Sequence, residues 1–375
     1  MRFELSEEQS AIVDMMSSYL ADRWSSEPRR EGIDQPPAVI PEKLWREIIE
    51  MGFLGISVSE RAGGGGEALL TSALIAEVAG GALLPGPLVT SLAASLALDH
   101  FGAPGDLLSA VISGEIRVTL ALEEPNGTWG PENMLIEPTL DGEGGSVSGT
   151  KILVPDADRA DIFLVAVNLP EGHALLRLQA GTDGLSINPM RRIDGQSVAE
   201  LVMENVSFRT ADILRGKVNS EDALQHVYDI WTLLVSADLL GISQAVLNMT
   251  TDYAKERTQF GRQIGSFQAV SHRLADIQVE VEIGRSLLYG ACLALQERQP
   301  DAGALVSAAK AWMSDMAVAA AEAGLQLHGG IGYTWELDIH LYLRQARANA
   351  VTLGDASYHR SRAADYLVNL YGSPG

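Results

Sequence analysis

The chain has 375 residues, 46% apolar and 20% charged, enough for a sizeable core spread over two or three structural units. Asp plus Glu outnumber Lys plus Arg by 49 to 27, and the resulting net charge of −22 repels phosphate backbones and excludes a nucleic-acid-binding protein. No run approaches about 18 uninterrupted apolar residues, and the start MRFELSEEQS lacks a basic segment ahead of an apolar one, so neither a membrane span nor secretion is expected.

From Ser6 to about His100 the pattern is helical. Ser6 followed by Glu7 and Glu8 reads as a helix cap with acidic residues in the first turn. Leu44, Ile48 and Met51 keep helical spacing up to a turn at Gly52. The run Gly63 to Gly66 neither follows a strand nor leads into Lys-Ser/Thr, so it is a flexible loop rather than a phosphate cradle.

From about Glu115 to Phe208 the texture changes to strands. Val118–Leu122, Gly145–Val154, Ile162–Val167, Ala174–Leu178 and Ala199–Val206 are short, β-branched or alternating, and separated by Gly, Pro, Asp and Asn turns. Strands so spaced without helices between them predict an antiparallel barrel or sandwich, and no Rossmann fingerprint is present.

From about Thr210 to Leu370 the chain is helical again, in long elements. Leu233, Ala237, Leu240 and Leu247 mark one apolar face. Leu274, Ile277, Val281, Leu288 and Leu295 mark a second, and Leu305, Ala309, Trp312, Met316 and Ala323 a third. Turns as short as Arg298-Gln299-Pro300 predict an antiparallel bundle. The expected domains are therefore residues 1–114 (helical), 115–209 (β) and 210–375 (helical). The single cysteine, Cys292, reads as a small core residue, and its lack of a disulfide partner fits a reducing cytoplasm. The seven histidines have no metal-ligand spacing, so no metal site is expected.

Two segments of the last region carry chemistry. The first is Ala254-Lys-Glu-Arg-Thr-Gln-Phe-Gly-Arg-Gln-Ile-Gly-Ser-Phe-Gln268. It places Arg257, Gln259 and Gln268 where one helix ends and the next begins, so a guanidinium and two amides could grip a diphosphate and its sugar. The second is Gln326-Leu-His-Gly-Gly-Ile-Gly-Tyr-Thr334, in which the helix ends at Gly329-Gly330 and leaves room for an extended ligand against the backbone. Taken singly, Arg257 reads rather as a solvated helix-end charge and Gly329-Gly330 as a helix stop.

Together, in this order and separation, the two segments resemble the FAD-dependent acyl-CoA dehydrogenase family, and the similarity extends over essentially the whole chain. The resemblance implies an α+β fold: an N-terminal helical domain, a middle antiparallel β-barrel or sandwich, and a C-terminal four-helix bundle that forms a tetramer core. It assigns contacts to the ADP half of FAD to Arg257, Gln259, Phe260, Gln268, Gln326, Gly329 and Gly330, while His328 reads as a packed or backbone-bonded histidine. It further implies α,β-dehydrogenation of an acyl-CoA thioester, in which a carboxylate takes the α-proton and the flavin accepts a hydride. An electron-transfer flavoprotein is the expected acceptor.

The catalytic pattern departs from that family. Leu353, in Thr352-Leu-Gly-Asp355, stands where the family's glutamate base is expected, and Trp231 fills the alternative position on the preceding helix. Asp355 and Asp229 lie two residues from these positions. Asp355 is a weak candidate base, or alternatively the cap of the terminal helix. In the β region Glu123 replaces the threonine of the family's Thr-Glu-Pro loop, and Lys151-Ile-Leu-Val-Pro155 puts Leu153 and Pro155 where flavin-covering residues are expected.

This selective loss resembles the subunit without the glutamate in two-subunit bacterial acyl-CoA dehydrogenases of steroid side-chain breakdown. The leading expectation is thus a subunit that completes the FAD site of a catalytic partner within a homo- or hetero-tetramer. A self-sufficient dehydrogenase with a displaced carboxylate, a non-catalytic scaffold of the same fold, and a flavin-using relative with oxygen chemistry are the alternatives. Fatty, branched and steroid acyl groups all stay open at this point.

Overall fold

A computed structural model describes residues 4–216 and 220–372. Six helices come first: α1 (Glu7–Arg23), α2 (Glu27–Asp34), α3 (Glu42–Glu50), α4 (Leu69–Gly81), α5 (Leu88–Phe101) and α6 (Gly105–Ile112). Strands β1 (Val118–Ala121), β2 (Thr139–Asp141), β3 (Gly144–Pro155) and β4 (Ile162–Leu169) follow. They continue as β5 (Gly172–Gln179), β6 (Leu185–Met190), β7 (Val198–Arg209) and β8 (Ile213–Arg215). The chain ends with α7 (Ser220–Glu256), a small hairpin of β9 (Thr258–Gln259) and β10 (Arg262–Gln263), and helices α8 (Gln268–Gln296), α9 (Ala302–His328), α10 (Ile339–Val351) and α11 (Ala356–Tyr371). The expected order of helices, strands, then helices is present.

Two compact units emerge. One comprises Glu31–Ala68 and Pro85–Trp231; the other comprises Met1–Arg30, Leu69–Leu84 and Thr232–Gly375. In the first, two four-stranded sheets, ordered β1-β4-β5-β8 and β2-β3-β7-β6, face each other. Their shared core takes Phe163, Val165 and Leu176 from one sheet and Val147, Leu201 and Met203 from the other, which makes the barrel-or-sandwich expectation a sandwich. Pairing is antiparallel except between β1 and β4, which run parallel with Val118 opposite Ile162. A parallel neighbour needs a long connection, and here that connection carries β2 and β3.

The five expected strands are all found, and β2, β6 and β8 are additional. Those three lie at the sheet edges; β2 and β8 are only three residues long, and in β6 the alternation of Leu185 and Ile187 stops at Pro189. By contrast β4 is buried along almost its whole length, and α5 packs on its neighbour β1. Within this unit Lys151 is fully buried and pairs with Glu124 at 2.8 Å. Glu124 also accepts the backbone N–H groups of Leu135 and Ile136.

In the second unit Ser6 forms a full capping box with Gln9 at the start of α1. Helix α9 packs against α8, α10 and α11. Its buried face is built largely of small residues such as Ala309, Ala317, Ala320 and Gly324, which lets helix axes approach closely. Helices α4 and α7 cross at glycines. A Cβ on Gly241 would lie 1.9 Å from the Glu77 carbonyl oxygen, and one on Gly80 would lie 2.2 Å from that of Asp238. A buried polar chain crosses this unit: Asp238 accepts from Asn349 at 2.7 Å and from Gln345 at 3.0 Å, and Gln345 accepts from Arg29 at 2.7 Å. Ala223–Glu256 is long and apolar enough to span a bilayer by length and composition. Its apolar window is 89% buried, as in the core helix of a folded protein.

Candidate functional site

The first chemistry-bearing segment is a tight hairpin at the end of α7. Gln259 pairs with Arg262, and the two turn residues between them, Phe260 and Gly261, have φ of 54° and 77°. Positive φ at both central residues suits the right-handed twist of a two-residue hairpin, but it is unfavourable for a phenylalanine. Phe260 is nevertheless held there with 92% of its surface exposed. Arg262 lies 4.0 Å over the ring of Phe267, whose edge meets Phe260 at 6.2 Å. Arg257, Gln259 and Gln268 are all exposed, with Arg257 just past the end of α7 and Gln268 opening α8.

The second segment ends α9. Gly329 has φ 64° and ψ −143°, a conformation that side chains disfavour, and a Cβ on Gly329 or Gly330 would meet nothing within 4 Å. Gln326 is exposed on the last turn of the helix.

The structure brings the two segments together through a residue that the sequence reading missed. Tyr253, one turn before Arg257, stacks on His328 with ring centres 4.4 Å apart, and its hydroxyl donates to the His328 carbonyl at 3.4 Å. His328 is buried and its Nδ1 bonds the Gly324 carbonyl at 2.8 Å, so it is the packed, backbone-bonded histidine that was expected.

At the first position expected for a base, Leu353 is 5% exposed with φ 59°. Its carbonyl accepts from His359 Nε2 at 3.0 Å, while Lys310 Nζ donates to Gly354 O, Ala350 O and Ser314 Oγ, each at 3.0 Å. Burial pulls Lys310 down to about 7, partly opposed by Asp355. Burial, then the charges of Lys310 and Arg362, pull His359 down to about 3, so its imidazole is neutral. The Asp355 carboxylate accepts the Tyr358 N–H at 2.8 Å and caps α11, which employs it as the cap that the sequence allowed. At the second position Trp231 is 6% exposed, and nearby Asp229 accepts from Gln225 at 3.0 Å.

In the β unit a bulge interrupts the pairing of β3 with β7 between Lys151 and Val154, and Leu153 there has φ 54°. Glu123, beside the buried Lys151–Glu124 pair, has one carboxyl oxygen, Oε1, buried without a hydrogen-bond partner. Burial lifts its pKa to about 7; Lys151 opposes this, and Glu124 and Glu132 add to it. The sequence showed the replacement at Glu123 but not its raised pKa, which depends on burial.

Two family models match the chain: the acyl-CoA dehydrogenase N-terminal domain over residues 6–105 and the C-terminal domain over residues 232–368. An acyl-CoA dehydrogenase of Mycobacterium tuberculosis, IpdE2, is 31% identical over 83% of this chain and 82% of its own length. The chain belongs to the acyl-CoA dehydrogenase family. That family consists of flavoprotein oxidoreductases and is in general FAD-dependent. Among solved structures, a Tcur3481-Tcur3483 steroid ACAD variant is 31% identical with a TM-score of 0.88, covering 98% of this chain and 99% of that one. The ChsE4-ChsE5 complex from Mycobacterium tuberculosis is 27% identical with a TM-score of 0.89, covering 100% of both chains.

Proposed function

We propose that this chain is one subunit of an FAD-containing acyl-CoA dehydrogenase oligomer, in which it completes the FAD site of a catalytic partner of similar fold. One contrast carries the reading. The residues suited to the ADP half of the cofactor stand out in solvent around an open Gly329-Gly330 backbone, while Leu353 and Trp231 fill the two base positions with buried apolar side chains.

The donor set fits such a group. Arg257 offers a guanidinium to a diphosphate, Gln259, Gln268 and Gln326 offer amides, and Phe260 offers an exposed ring face. FAD, when bound, supplies the hydride acceptor for α,β-dehydrogenation of an acyl-CoA thioester. This chain's own part is to hold and orient the distal half of the cofactor, and the partner contributes the carboxylate base. The engagement of Asp355 as a helix cap disfavours a displaced base. Similarity to the ChsE4-ChsE5 complex supports a hetero-oligomer, and similarity to the Tcur3481-Tcur3483 steroid ACAD supports a steroid acyl substrate. An electron-transfer flavoprotein would be the acceptor.

The test is production of the chain alone and together with a homologue that carries the glutamate. The reading expects a colourless chain alone and a yellow complex with half as many flavins as chains, bleached by an acyl-CoA. A lone chain that retains flavin and bleaches, or a complex with one flavin on every chain, would overturn it.

A further inference from the structure

We propose that the cavity walled by α1, α4, α7 and α8 binds a neutral amphipathic molecule, an apolar body that ends in a hydroxyl or amide N–H. The cavity measures about 560 Å³, a size typical of small-molecule sites. Val13 and Leu20 of α1 and Leu74 and Val78 of α4 line its apolar side. Glu77, Gln244 and Arg285 line its polar end.

The hydrogen bonding at that end leaves one vacancy of a definite kind. Glu77 Oε1 accepts from Arg285 Nη1, Arg285 Nη2 donates to Gln244 Oε1 at 3.1 Å, and Gln244 Nε2 donates to Asn248 Oδ1 at 3.0 Å. Glu77 Oε2 is buried and has no partner among the described residues. A buried acceptor without a donor forfeits its hydration with nothing in return, and such atoms beside a cavity call for a ligand or a water. Two other polar groups of the wall are engaged. The Trp24 indole donates to the Ala82 carbonyl at 2.8 Å, and Asp338 accepts from Ser26 and from Arg30. The final torsion of a glutamate is broad, so a modest turn offers the orphan oxygen to the cavity.

Charge then selects the class of ligand. Arg285 already balances Glu77, so the site lacks a donor rather than a charge. A second cation would stand beside the guanidinium, and an anion would face Glu77 and Asp338. A neutral head avoids both, and the apolar wall suits a hydrocarbon body.

Calorimetric titration of the full chain with 1-decanol, decylammonium and decanoate tests the proposal, since the three share a tail and differ in head. Expected is binding of 1-decanol with an affinity about tenfold or more above the other two. Ala245→Leu, which fills the cavity from α7, should weaken 1-decanol by about tenfold or more, and Ala82→Leu fills it from the end of α4 should the first variant fail to fold. Glu77→Gln should weaken 1-decanol several-fold by removing the charged acceptor. Equal binding of all three heads, binding unchanged by either filling substitution, or a soaked crystal in which the cavity holds ordered water only would each overturn it.

Discussion

Lys310 Nζ donates to the Gly354 carbonyl across 3.0 Å from a position with no solvent exposure, and so ties the middle of α9 to the turn that holds Leu353. All three ammonium protons have an acceptor, yet burial still draws the group down to about 7. In the unfolded chain a lysine titrates near ~10.4. Between those values the unfolded state binds more protons, so stability should rise as pH increases from about 7 toward 10, and this contribution should stay flat below 7. Lys310→Met should remove this slope. Melting temperatures of both proteins across that range provide the check; parallel curves would contradict the buried, partly neutral lysine.

Phe260 occupies a left-handed position at the tip of the β9–β10 hairpin and makes little use of its own fold's core. Phe260→Gly should relieve backbone strain of ~1 kcal/mol and leave the isolated chain as stable or slightly more so. The same change should lower FAD retention in the assembled complex. A stability gain with unaltered flavin content would show that the exposed ring has no part in cofactor binding.

Asp156 is buried with φ 51°, and desolvation, aided by Asp158, lifts its carboxyl to about 7. A raised carboxyl stabilises the fold at low pH, and that contribution is lost as pH climbs from about 4 through 7. Asparagine tolerates the left-handed region and does not titrate. The melting temperature of Asp156→Asn should therefore gain on the natural protein over this interval and stay ahead at pH 8. A constant difference at all pH values would refute the shift.

Cys292 is fully buried in α8, and burial alone pushes its thiol up to about 12. It should resist a thiol reagent at pH 8 until the chain is unfolded, then react at the ordinary rate. Rapid labelling of the folded protein would place it near the surface instead.

The architecture was legible because it rests on local pattern. Ser6 and Asp355 cap helices through their own side chains within three residues, and the short apolar or β-branched runs of β4, β5 and β7 between turn residues mark them as strands without reference to anything distant. The edge strand β6 escaped because its alternation is limited to Leu185 and Ile187 before Pro189 interrupts it. The candidate site was half legible: Arg257 to Gln268 and Gln326 to Gly330 stand out as short motifs, while Tyr253, which joins them, is an ordinary tyrosine on a long helix.

Family membership, the α–β–α order and the apolar residues Leu353 and Trp231 at the positions where the resemblance expects a base belong to the linear chain, since each depends on residue identity and spacing. The parallel pairing of β1 with β4, the meeting of Tyr253 with His328 and the partial neutralisation of Lys310 do not. Each depends on which distant residues share a buried space. Strand pairing, stacking and desolvation are set by neighbours tens of residues away, and only the folded chain brings those neighbours into contact.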